Sequence, residues 1–146
     1  MLDTKFFIKV GPNVRDRYRE HIFKKAKDIK GKSFSKQYSK GYEKRKKAGG
    51  KGFRGGFPLN APVASGDLLK DYSLIKTMNN GFQIGWSSLG ARVEWLANLG
   101  RVLTTSAKPL PNKVLKYLIN EGNKYIKKES DKLIPKKTTI HKIGKK

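Results

Sequence analysis

The chain has 146 residues, a length that supports one hydrophobic core and excludes two full domains. Its 34 Lys and Arg stand against 11 Asp and Glu, a net charge of +23 with only 36% hydrophobic residues, which excludes a free-standing metabolic enzyme by composition and calls for an anionic partner. Cysteine is absent, so disulfides, zinc-thiolate sites and thiol catalysis are excluded together.

The charge is uneven. Residues 24–54 hold 13 basic and 2 acidic groups, and residues 124–146 hold 9 and 2, whereas 55–123 hold 7 and 4. The core is therefore expected in that middle stretch. No run approaches the 18 or more apolar residues of a membrane span, and Phe6–Val10 is too short for a signal-peptide core. The protein is expected to be soluble and to act inside the cell.

In chain order, Phe6, Ile8 and Val10 alternate and suggest a short strand. Pro12 and Asn13 then read as a helix entrance, with Asp16 favouring the exposed amides of the first turn. Val14, Tyr18, Ile22, Ala26 and Ile29 form one apolar stripe of an expected amphipathic helix over about 13–30, stopped by Gly31. Residues 31–57 read as an extended basic loop, with seven glycines between Gly31 and Gly56 and almost no aliphatic side chains. Tyr38 and Tyr42, one helical turn apart, would anchor a short helical piece within it.

Ser65-Gly66-Asp67-Leu68-Leu69 resembles a capped turn leading into a strand near 72–77. Asn79-Asn80-Gly81 tolerates positive φ, and Phe82, Ile84 and Trp86 alternate behind it, so a hairpin is expected over about 72–87. A short helix through Val93, Leu96 and Ala97 closes at Gly100, and Val102–Thr105 reads as a third strand. After the elbow Lys108-Pro109-Leu110-Pro111, the spacing of Val114, Leu115, Leu118, Ile119, Gly122, Tyr125 and Ile126 predicts a second long helix over about 112–133, ended by Pro135. The expected fold is α+β: a small antiparallel sheet, the hairpin plus one or two short strands, packed by two long helices. One domain spans 1–133, and 134–146 is a basic tail.

Gly50-Lys51-Gly52-Phe53-Arg54-Gly55 fits the phosphate-cradling pattern formally, yet it follows a lysine-rich run and precedes Pro58 instead of lying between a strand and a helix. It reads as a flexible linker, or as an RGG-type segment along a nucleic-acid backbone. Lys44, Arg45, Lys46 and Lys47 form the densest cationic cluster. With Lys51 and Arg54 they are the candidate contacts to DNA or to an acidic partner. His21 and His141 lack a nucleophile or carboxylate in a motif, and Asp67 and Asp71 suit capping and charge balance, so no catalytic residue, metal site or cofactor is expected. Trp86 and Trp95 are expected to serve in packing or subunit contact.

The order of these signals over residues 31–128 resembles the tail-completion, or head-tail joining, proteins of tailed bacteriophages. Gly31-Lys32-Ser33-Phe34 and the Tyr38–Lys46 run match the opening of that pattern, and Ser65-Gly66-Asp67-Leu68-Leu69 its turn before a hairpin. Phe82-Gln83-Ile84-Gly85 and Ala91-Arg92-Val93-Glu94 follow, and Ala107-Lys108-Pro109-Leu110-Pro111 stands at the elbow before the last helix, with Lys108 and Leu110 where the pattern has Arg and Phe.

The resemblance implies a non-enzymatic structural protein of the virion neck, assembled in the host cytoplasm into a six- or twelve-fold homo-oligomeric ring between portal and tail proteins, around the DNA channel. Tyr38, Tyr42, Trp95 and Arg101 are the candidate subunit-interface residues, and the basic segments are assembly arms. The alternative is a small non-specific nucleic-acid-binding protein, ribosomal or nucleoid-like. A nuclease is disfavoured because clusters of carboxylates and histidines are missing.

Overall fold

Asp3 opens the first helix, accepting the Phe6 amide at 3.0 Å and so satisfying a donor with no carbonyl beneath it. In the computed structural model, which describes residues 1–34, 39–49, 52–53, 55–63 and 65–134, this helix, α1, spans Thr4–Arg19. The strand expected at 6–10 is therefore helical. Phe6, Phe7, Val10, Val14 and Tyr18 are buried at helical spacing, while Ile8, which had completed the alternation, is 58% exposed. Pro12 lies inside the helix and does not open it. Its missing N–H falls opposite the carbonyl of that solvent-facing residue, where water can serve as the donor.

Beyond Arg19 the backbone widens into a π-helical turn, Glu20–Lys24, in which the Lys25 amide reaches the Glu20 carbonyl at 2.8 Å. Ala26, at φ 50, takes the chain out of the helix. The helix expected to reach residue 30 thus ends near 24, although Ala26 and Ile29 remain buried as the apolar spacing required.

Residues 40–48 form a helix within the expected loop. In α2, Lys40–Ala48, the Ser39 hydroxyl accepts the Tyr42 amide at 3.2 Å, and Gly49 ends the helix at φ +65. The short helix α3, Asp67–Asp71, leads directly into β1, Tyr72–Met78, which pairs antiparallel with β2, Gly81–Trp86, across Asn79-Asn80. The register slips between Leu74 and Lys76, a bulge that leaves Ile75 exposed. The helix α4 runs Gly90–Asn98 and α5 runs Asn112–Leu133.

The α+β class and the hairpin are as expected, but the sheet has two strands among the described residues. Residues 102–105, expected as a third strand, join no ladder. Leu103 is nevertheless fully buried, and the segment is held by single bonds from the Ile29 amide to the Val102 carbonyl, 3.1 Å, and from the Tyr18 hydroxyl to the Leu103 carbonyl, 2.6 Å.

α1 contributes to two apolar clusters. Tyr18 stacks on Tyr72 at 4.0 Å between ring centroids and meets Trp86 edge-on, within a core that includes Phe23, Ile29 and Leu103. Burial pushes the phenols of Tyr18 and Tyr72 well above their ordinary pKa. The other cluster joins Phe6, Phe7, Val10 and Val14 to Val114 of α5, with the Phe6 and Tyr125 rings 5.2 Å apart. The Tyr125 hydroxyl also donates to the capping carboxylate of Asp3 at 2.8 Å, so one side chain both starts α1 and ties it to α5. Arg19 fastens α1 to the hairpin by donating to the carbonyls of Lys70 and Tyr72.

Candidate interaction surface

The lysine-rich run Lys44–Lys47 lies on α2, where successive side chains turn by about 100° and so cannot share one face. Lys44, Arg45 and Lys47 are exposed. Lys46 points inward, is 6% exposed, and its Nζ donates to the carbonyls of Leu59 at 2.9 Å and Ala61 at 2.6 Å. Beside it Arg101, 3% exposed, donates to the Asn60 carbonyl at 2.9 Å, and the Asn60 amide donates to the Phe34 carbonyl at 3.0 Å. Burial, reinforced by the Arg101 charge, lowers the Lys46 pKa to about 8.

These two positions correct the expected roles. Lys46 is a clasp that fastens α2 to the 59–61 segment and is not presented to DNA or to an acidic partner. Arg101 is likewise spent largely inside the chain, reaching the surface only where it lines a cavity. Lys51, Arg54 and Tyr38 lie outside the described residues, so Lys44, Arg45 and Lys47 are the exposed members of the expected cationic set among those described.

That cavity, of about 510 Å³, lies between α2, the 62–68 segment and α4, and it brings Tyr42, Trp95 and Arg101 together from three separate parts of the chain. Arg92, Trp95 and Leu96 of α4 and Leu99 at its C-cap reach it because their spacing of 3, 1 and 3 keeps them on one face. Val63 and Leu68, both buried, supply apolar wall, while Trp95 and Leu99 remain 61% and 48% exposed. Asp67 also lines it, its carboxylate accepting the Ser65 hydroxyl at 2.7 Å. Asp71 points elsewhere: it accepts from the Ser87 and Ser88 hydroxyls and the Ser88 and Leu89 amides at 2.7–3.0 Å, pinning the entrance of α4 to the end of α3. Those donors, the Ser87 hydroxyl first, hold its carboxyl far below the usual range.

A second apolar surface runs along α5. The helical spacing suggests that all its apolar residues turn inward, yet among them only Val114 and Gly122 are buried, with Leu118 and Tyr125 partly so. Leu115, Ile119 and Ile126 are exposed, and Leu133 and Ile134 continue the apolar surface at its end. The warning in the sequence is the width of the apolar arc, which exceeds what one neighbouring helix covers. A third groove, of about 620 Å³, lies between β2 and residues 104–110.

Acid–base chemistry finds little to work with among the described residues. His21 is buried with Nε2 2.9 Å from the Asp28 carbonyl oxygen, and His141 lies outside them. No three His, Asp or Glu side chains gather there to hold a metal ion, and no described helix is long and apolar enough to cross a membrane. No protein-family model matches the chain, and neither the curated proteins nor the solved structures contain a significant match to it.

Proposed function

We propose that the chain is a structural subunit of a phage neck or head-tail connector, a ring of six or twelve copies between portal and tail through which DNA passes. The observation that carries this reading is the pair of exposed apolar surfaces on different elements, Trp95 with Leu99 on α4 and Leu115, Ile119 and Ile126 on α5. Exposed apolar patches of this kind mark contact sites, and a ring subunit needs two different ones because each copy meets one neighbour through one surface and the next through another. The order of sequence signals over 31–128 and the α+β hairpin architecture support the same reading. In that setting Tyr42 and Trp95 belong to a contact surface, and Lys44, Arg45 and Lys47, with Lys51 and Arg54, meet DNA or acidic neighbouring proteins.

Mass photometry and negative-stain imaging of the purified chain with its portal partner test this. Rings, or a portal-bound complex of several copies, are expected. A chain that stays monomeric and never joins the portal overturns the reading.

The exposed cations of α2 favour one second reading, a monomeric non-specific nucleic-acid binder. That protein would bind DNA or RNA tightly by itself, and its affinity would fall steeply with salt. Absence of binding at low salt eliminates it.

A further inference from the structure

The α2–α4 cavity combines two kinds of chemistry that internal packing does not require together. Its wall is largely aliphatic, from Val63, Leu68, Leu96 and Leu99, yet the Trp95 indole beside it is left mostly in water. Large aromatic side chains with an apolar body and one N–H are the usual anchors of protein interfaces, where a facing side chain completes their burial.

Its margin is cationic. Arg92 and Arg101 line it, and of the two the exposed Arg92 is the one free to meet an occupant, since Arg101 is buried and donates to the Asn60 carbonyl. The opposing carboxylate, Asp67, already accepts a hydroxyl hydrogen bond from Ser65. With two guanidinium groups against one carboxylate in the lining, an apolar group flanked by negative charge complements the cavity.

We propose that this cavity is the docking site for an acidic segment of a partner protein, which inserts one large apolar side chain between Trp95, Leu99 and Leu68 and sets a flanking carboxylate against Arg92. The cavity volume of about 510 Å³ lies within the range of sites that enclose compact ligands, and it accommodates a side chain with adjoining backbone. The aliphatic wall favours a protein occupant over a nucleic acid. A phosphodiester strand would find a stacking surface in Trp95 but would leave Val63, Leu68 and Leu96 without a complementary partner. The electrostatic margin steers and orients, while the apolar anchor supplies discrimination. The identification of the segment's source as a neighbouring virion protein rests on the assembly reading; the chemistry of the cavity does not.

The test uses the full chain and fluorescein-labelled peptides of about a dozen residues, rich in Asp and Glu, with a central Phe in one and Ala in the other, read by fluorescence anisotropy. Burial of a Phe side chain predicts that the first binds about tenfold more tightly or better. Trp95→Ala and Leu99→Ala abolish that preference, whereas Lys113→Ala on α5 leaves it intact. Both altered positions are exposed, and urea unfolding confirms that the variants remain folded. Equal affinity for the two peptides overturns the proposal, as does a preference that survives Trp95→Ala. An oligothymidine that displaces the Phe peptide and itself loses affinity in Trp95→Ala also overturns it, in favour of a nucleic-acid site. A protein that joins the portal but shows no anchor preference loses this docking site and keeps its assembly role.

Discussion

The Tyr18 hydroxyl donates to the carbonyl oxygen of Leu103 across 85 residues of chain, and both residues are fully buried. This bond does locally what a strand ladder would have done for residues 102–105. Tyr18→Phe keeps the ring stack on Tyr72 and removes only the donor, leaving a buried carbonyl unpaired. The expected loss is about 1–3 kcal/mol. It appears as a lower urea midpoint with an unchanged slope. Tyr125→Phe, which removes the exposed bond to Asp3, lowers the midpoint less.

Lys46 makes stability depend on pH in a definite direction. Its folded pKa of about 8 lies below the ordinary lysine value of 10.5. Between these values the unfolded chain holds a proton that the folded chain has released, so this residue's contribution to stability rises with pH across that window and is flat below it. Lys46→Met removes the dependence. The stability of the parent minus that of the variant, measured by urea unfolding from pH 7 to 10.5, is expected to climb above pH 8. A constant difference would refute the assignment.

Those two contacts show what was legible in the sequence and what was not. The hairpin was legible because Asn79-Asn80-Gly81 favours a turn locally and Phe82, Ile84 and Trp86 alternate behind it. The bounds of α5 were legible because Pro111 precedes it, an apolar period runs from Val114 to Ile126, and Pro135 follows its end. At the N-terminus the same rules misled: Phe6, Ile8 and Val10 satisfy a strand period, and the residue that decides for helix is Asp3, whose cap signal stands outside the apolar run. The exit at Ala26 was hidden because Ala26 and Ile29 are buried whether or not the helix continues. At the candidate surface, charge density picked out the Lys44–Lys47 cluster, but one-dimensional clustering does not reveal that Lys46 turns inward toward carbonyls thirteen and fifteen residues away.

Asp71 ties α3 to α4 through four hydrogen bonds accepted by one carboxylate. Because its folded pKa is depressed, its contribution is present above the unfolded carboxylate value of about 4 and is lost only as pH falls toward the folded value. Asp71→Asn withdraws the charge and one acceptor oxygen. Hydrogen exchange at the Ser88 and Leu89 amides is expected to quicken in the variant at neutral pH, while the parent keeps its protection down to about pH 4. Unchanged protection in the variant would show that other contacts hold the α4 entrance.

Gly122 is buried in the middle of α5, where glycine costs about 0.5–1 kcal/mol relative to alanine. A Cβ there would lie 3.7 Å from the Leu2 side chain, an ordinary contact. Gly122→Ala should therefore stabilise the chain by about that amount. Gly11 in α1 offers the contrast, since a Cβ would come within 3.0 Å of a Leu74 methyl and force it to move. The midpoint of Gly122→Ala is expected to exceed both the parent and Gly11→Ala.

The exposed stripe of α5 separates assembly from folding. Val114 is buried against α1, whereas Leu115, Ile119 and Ile126 flank that contact and stay 42%, 52% and 40% exposed, so part of their apolar area is left for a neighbour to cover. The double variant Ile119→Gln with Ile126→Gln should lower monomer stability by no more than about 1 kcal/mol, the usual range for substitutions outside the core. In sedimentation velocity with the portal partner it should shift the chain toward the monomer. Val114→Gln, by contrast, places an amide in the buried cluster and should unfold the chain at lower urea whatever the oligomeric state. If the Ile119 and Ile126 changes unfold the monomer as readily as Val114→Gln, the stripe is part of the core and the ring contact must lie elsewhere.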